Sequence, residues 1–87
     1  MAYTDDTKSK VASIMQWAKA NGIVEVTINA GELAKVLGLY DPPNDINNVK
    51  SVSDAMHDLC DKTKGDAIIY EPPAGSGTSV IIRYKVR

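Results

Sequence analysis

Apolar side chains recur along this chain at two spacings. In residues 5–21, Val11, Ile14, Met15 and Ala18 occupy the i, i+3, i+4 and i+7 positions of one helical face. Thr4, Asp5 and Asp6 supply cap and dipole chemistry at the start of that run. Asn21-Gly22 ends it, with Gly22 suited to the left-handed residue that closes a helix. Trp17 lies at the edge of the stripe and reads as a partly buried flank of the core. Residues 24–28, Val-Glu-Val-Thr-Ile, alternate as a half-buried strand does.

A second helix is predicted over 30–37. Asn29 can cap it, Glu32 three residues on completes a near capping-box pattern, Leu33, Ala34 and Leu37 face inward, and Gly38 stops it. "YDPPND", residues 40–45, cannot be helix, because consecutive prolines break it and extend the residue before each. It reads as a connector, with Tyr40 beside a stiff Pro-Pro as a candidate partner contact. A third helix is predicted over 46–62, with Val49, Val52, Met56, Leu59 and Cys60 as its apolar stripe. Strands are predicted near 67–71 and 79–86. In the second, Val80, Ile82, Tyr84 and Val86 share one face, and Ile81, Arg83 and Lys85 share the other.

At 87 residues there is room for one domain, residues 1–87, with a thin stability margin. The chain has no Phe, one Trp and four Tyr, so the core must rest on aliphatic residues. Net charge is −1 and unevenly spread: residues 1–40 sum to 0, 41–61 to −4, and 62–87 to +3. That balance argues against coating nucleic acid non-specifically, and it makes the last third the basic end. Cys60 has no internal partner, the first residues do not read as a signal peptide, and no apolar run approaches a bilayer's thickness. These features point to a reducing, cytoplasmic setting without membrane contact.

Two local patterns invite a chemical reading, and each has a plainer one. "YEPPAGSGTSVIIRY", residues 70–84, has the glycines of a phosphate-binding loop. It lacks the lysine, and it runs into a strand rather than a helix N-terminus. It reads as a hairpin tip whose glycines let it turn and leave it mobile. "DAMHDLCD" puts His57, Cys60 and Asp61 at helical spacing, yet no second His or Cys completes a tetrahedral metal site. An ordinary thiol beside a solvated acidic face explains it. With one His and one Cys and no orienting group, no catalytic constellation is expected. The chain reads as a non-enzyme without cofactor or metal.

The element order is helix, strand, helix, helix, β-hairpin. "GELAKVLGL" looks like the second helix and "VKSVSDAMHDLCD" like the third of the winged helix-turn-helix family, and the resemblance covers nearly the whole chain. It implies an α+β fold in which the third helix enters the DNA major groove and the closing hairpin is the wing. Carried onto this sequence, the implied DNA contacts are Asn47, Asn48, Lys50 and Ser51 near the start of helix 3, with Arg83, Lys85 and Arg87 on the wing side. The function implied is transcriptional regulation or an accessory role on double-stranded DNA. At this net charge one copy should bind weakly, and a homodimer on a two-fold site is the natural remedy. Asp54, Asp58 and Asp61 would repel phosphates. The 39–45 loop exceeds the usual 3–4-residue turn, and helix 3 carries no Arg. Those features open a second reading, a protein-interaction module using the acidic face of helix 3 and the Tyr40 loop.

Overall fold

A computed structural model describes residues 3–87. In chain order the elements are α1 (Tyr3–Ala20), β1 (Glu25–Asn29), α2 (Ala30–Val36), β2 (Tyr40–Asp41), β3 (Ile46–Asn47), α3 (Val49–Leu59), β4 (Ala67–Tyr70) and β5 (Ile81–Lys85). The fold is α+β. Three helices pack on an antiparallel sheet of order β1-β5-β4, and β2 and β3 form a separate small hairpin.

β5 lies in the middle of the sheet, paired with β1 on one side and β4 on the other, and its alternation buries one face. Val80, Ile82 and Tyr84 are fully buried, with Ile82 against Ile28 and Ile68, and Tyr84 against Val26. They join Val52 and Met56 of α3, Leu33 and Ala34 of α2, and Val11 of α1 in one core. The Tyr84 hydroxyl donates to the Met56 carbonyl at 2.7 Å, which gives the buried phenol a partner and ties β5 to α3. Burial pushes the Tyr84 phenol well above its ordinary pKa, so it stays a neutral donor.

Helix ends follow local chemistry. α1 closes at Gly22 with φ +73°, and the Ile23 N–H donates to the Ala18 carbonyl at 2.9 Å. Asn29 caps α2, its Oδ1 accepting from the Glu32 N–H at 2.9 Å.

Helix 3 is shorter than its periodicity suggests, spanning 49–59 rather than 46–62. Ile46 and Asn47 pair with Asp41 and Tyr40 instead, and the Asn48 N–H donates to the Leu39 carbonyl at 2.7 Å. The Pro-Pro stretch is therefore the turn of a hairpin, closed by Asp45 in the left-handed region at φ +57°. At the other end Cys60 is extended. Asp61 leaves the helix to cap a 3-10 turn over Lys62–Lys64, which Gly65 closes at φ +96°. Trp17 is 59% exposed, not a core flank. The ring falls outside the stripe because Ala18 takes the inward position beside it.

The tip between β4 and β5 is anchored rather than free. Asn29 Nδ2 donates to the Thr78 carbonyl at 2.9 Å, and the Gly31 N–H donates to the same oxygen at 3.2 Å. The first turn of α2 thus holds the end of the glycine-rich stretch. Gly31 is required by this approach, since a Cβ there would lie 2.8 Å from that backbone oxygen. Helix propensity favours Gly31→Ala by about 1 kcal/mol. The contact opposes it, and a carbonyl held by two donors cannot move aside cheaply. Gly31→Ala is therefore expected to destabilise by about 1–3 kcal/mol, read as a lower urea midpoint. A midpoint equal to or above that of the unaltered chain would refute the contact.

Candidate nucleic-acid interface

Asn47, Asn48, Lys50 and Ser51 come together at the start of α3. The Asn47 Oδ1 accepts from the Val49 N–H at 3.3 Å, which serves the first turn of α3, and the residue is exposed. Asn48 stands at the N-cap position without a side-chain cap bond. Lys50 is exposed and Ser51 half-buried. The Lys50 ammonium lies 2.9 Å from the Asp54 carboxylate one turn on.

The strand cations point elsewhere. Ile82 and Tyr84 face the core, so Arg83 and Lys85 project from the opposite face of the sheet. Arg83 sits between Thr27 and Ala67, with its Nε buried and without an acceptor among the described residues. The Lys85 ammonium lies 2.8 Å from the Glu25 carboxylate across the strand pair. The hydrogen bond and charge of Lys85 hold the Glu25 carboxyl below its usual range. The structure therefore does not gather the α3 residues and the strand cations on one face.

Arg87 belongs to a different arrangement. The Asp66 side chain is 0% exposed and accepts from both terminal nitrogens of Arg87, at 2.9 and 3.0 Å. It also accepts from the Asp61 N–H at 2.9 Å and the Lys85 N–H at 2.8 Å. Burial pushes the Asp66 pKa up, but Arg87 and the two backbone donors outweigh it and hold the group at about 2, against an ordinary 3.8. Withdrawing Arg87 would leave a buried carboxylate without its counter-charge, at a cost of about 3–5 kcal/mol. The exposed Lys50–Asp54 and Lys85–Glu25 pairs are worth only about 0–1 kcal/mol each. Lys50 and Lys85 can exchange a carboxylate for a phosphate. Arg87 cannot do so cheaply.

The acidic face of helix 3 is also altered. Asp54 carries Lys50, and Asp58 lies 3.6 Å from Lys8 of α1. Asp61 has left the helix, and its carboxyl is held down mainly by the Thr63 hydroxyl. His57 bridges the Ser53 carbonyl and the Glu71 carboxylate at 2.8 Å each, joining α3 to the residue after β4. Sequence reasoning missed the Asp66 cluster. Its one signal was a lone Asp between a turn glycine and a strand, which spacing alone does not distinguish from a solvated loop carboxylate.

Among the described residues no three His, Cys, Asp or Glu side chains are placed to hold a metal ion. No helix among them is long and apolar enough to cross a membrane. No protein-family model, curated protein or solved structure matches the chain.

Asp66 makes stability depend on acid in a defined window. Its pKa is lower folded than unfolded, so its contribution is complete above about pH 4 and is lost as pH falls toward 2. The shift corresponds to about 2.5 kcal/mol. Urea unfolding at pH 6 and pH 2.5 should show the greater part of that loss, and Asp66→Asn should flatten the difference between the two. An Asp66→Asn chain with an unchanged acid dependence would remove Asp66 as its source.

Proposed function

We propose that this chain is a small winged-helix DNA-binding domain that serves transcription or an accessory step on double-stranded DNA. The observation that carries the reading is topological. The order α1-β1-α2-β2-β3-α3-β4-β5 closes into a sheet of order β1-β5-β4 with β2–β3 as a hairpin between α2 and α3, and Lys50, Asp54 and Asp58 leave a polar face of α3 open to solvent. In this reading the start of α3 enters the major groove. There Asn47 and Asn48 offer amides suited to adenine and Lys50 a cation suited to guanine or phosphate.

The ion pairs set the strength of this binding. Of the proposed cations Lys50 stands with α3, Arg83 and Lys85 project from the other face of the sheet, and Arg87 stays with Asp66, so the first three do not meet one duplex face together. Because two of the three begin on carboxylates, steering is weak and counterion release small. With three phosphate contacts at most, log affinity against log salt should have a slope no steeper than about −3. Asp54→Asn removes the internal competitor of Lys50 and should raise affinity for duplex DNA several-fold at low salt. Lys50→Ala should reduce the slope by about 1. Fluorescence anisotropy over a salt series measures all three quantities. Absence of binding at low salt, or indifference to both substitutions, would overturn the reading.

The β2–β3 hairpin favours a second reading, a protein-interaction module. Tyr40, Pro42, Asp45, Ile46 and Asn47 surround a hollow of about 200 Å³ on a turn stiffened by two prolines. Here Asp54→Lys with Asp58→Lys should abolish a protein complex, with no DNA binding to lose.

A further inference from the structure

We propose that two copies of this chain associate through the free edge of β1, in antiparallel register about Thr27, to form one continuous six-stranded sheet. Among the described residues β1 pairs with β5 on one side only. The Val86 N–H donates to the Val24 carbonyl and the Ala30 N–H to the Val80 carbonyl, both at 2.9 Å. Even-numbered residues therefore turn their backbone groups toward β5, and odd-numbered ones turn theirs to the open side. The Asn29 carbonyl is committed to the first turn of α2, as an N-cap's is. The open edge thus offers both backbone groups of Glu25 and Thr27 and the N–H of Asn29.

The two edges of the sheet are protected unequally. β4 is interrupted by a register shift between Ile68 and Tyr70, and Glu71-Pro72-Pro73 follows it. Bulges and prolines of this kind keep an edge from pairing. β1 has five residues in unbroken register, with no proline and no lysine. Beside it α1, α2 and β1 enclose an open groove of about 450 Å³, with Ile14, Val26, Ile28 and Leu33 in its apolar lining. Val36 lines the same groove and is 67% exposed, which gives each copy an apolar side chain to bury.

The strand is complementary to itself in one register, and this selects a second copy as the occupant. A two-fold axis at Thr27 sets Thr27 against Thr27, Glu25 against Asn29, and Val26 against Ile28 of the second copy. Odd residues meet odd residues, so the outward N–H and C=O groups face each other. Glu25 meets a neutral amide rather than another carboxylate, and the apolar pair lies on the groove side. The surface differs from the Tyr40 hairpin and from α3. The inference stands on the sheet alone, independently of the DNA reading, and its test contains no nucleic acid.

Light scattering on the full chain, from micromolar to near-millimolar concentration, should show the mass rise from 9.4 kDa toward twice that value. Thr27→Pro removes the central outward N–H, and Thr27→Glu places two carboxylates on the axis. Each should return the mass to that of one chain while circular dichroism stays native. Should Thr27→Pro unfold, Thr27→Glu and cross-linking decide. In a Cys60→Ala background, Thr27→Cys should oxidise to a covalent dimer much faster than Ala12→Cys on the exposed side of α1. A single-chain mass at every concentration would overturn the proposal, even if the edge captured an extended peptide instead. So would a dimer that survives both Thr27 changes, or equal cross-linking at the two cysteines.

Discussion

One buried carboxylate governs the lower end of this molecule. Asp66 sits where the turn after α3, the start of β4 and the end of β5 converge, and it binds a group from each side of that junction. A charge removed from water must be neutralised and hydrogen-bonded, or it does not remain charged. Two backbone N–H groups and a two-pronged guanidinium meet that demand. The consequence reaches function. Arg87 resembles a wing cation in the sequence, yet it is consumed by folding.

The same logic, at lower stakes, acts across the surface. Lys50 faces Asp54, Lys85 faces Glu25, and Lys8 faces Asp58. Each pair is exposed and contributes little stability. Together they bring the face proposed for DNA and the acidic face of α3 proposed for a protein partner close to local neutrality. A surface of this kind does not attract a polyanion from a distance. Recognition on it must depend on short-range fit, and symmetric doubling of a weak site is one way to strengthen it.

The polar end of the sheet is built on Asn29. One amide side chain caps α2 with its oxygen and holds the β4–β5 tip with its nitrogen, through the Thr78 and Val80 carbonyls. That double use brings the tip against Gly31 and makes a side chain there costly. It also ends β1 where α2 begins, so β1 remains a short, regular strand with one free side. β4, by contrast, ends in a bulge and two prolines.

The amino-acid sequence by itself determined the periodic elements. Helical spacing in Val11 to Ala18 and in Val49 to Met56, and alternation in Val80 to Tyr84, each bury one face whatever the neighbours are. Asn29, Gly22 and Gly38 announced helix ends through chemistry confined to a few residues. Tertiary structure decided what depends on distant partners. Helix 3 lost its predicted first turn because Ile46 and Asn47 found strand partners across the prolines. Trp17 stayed outside because the small Ala18 took the inward position. The glycine-rich tip was fixed by the Asn29 amide, 49 and 51 residues away in sequence from the two carbonyls that accept from it. Asp66 and Arg87, 21 residues apart, became a buried pair. Local spacing carries burial and caps, because those need only near neighbours. It carries no record of which carboxylate a cation will meet, and that choice decided which residues remain available for binding.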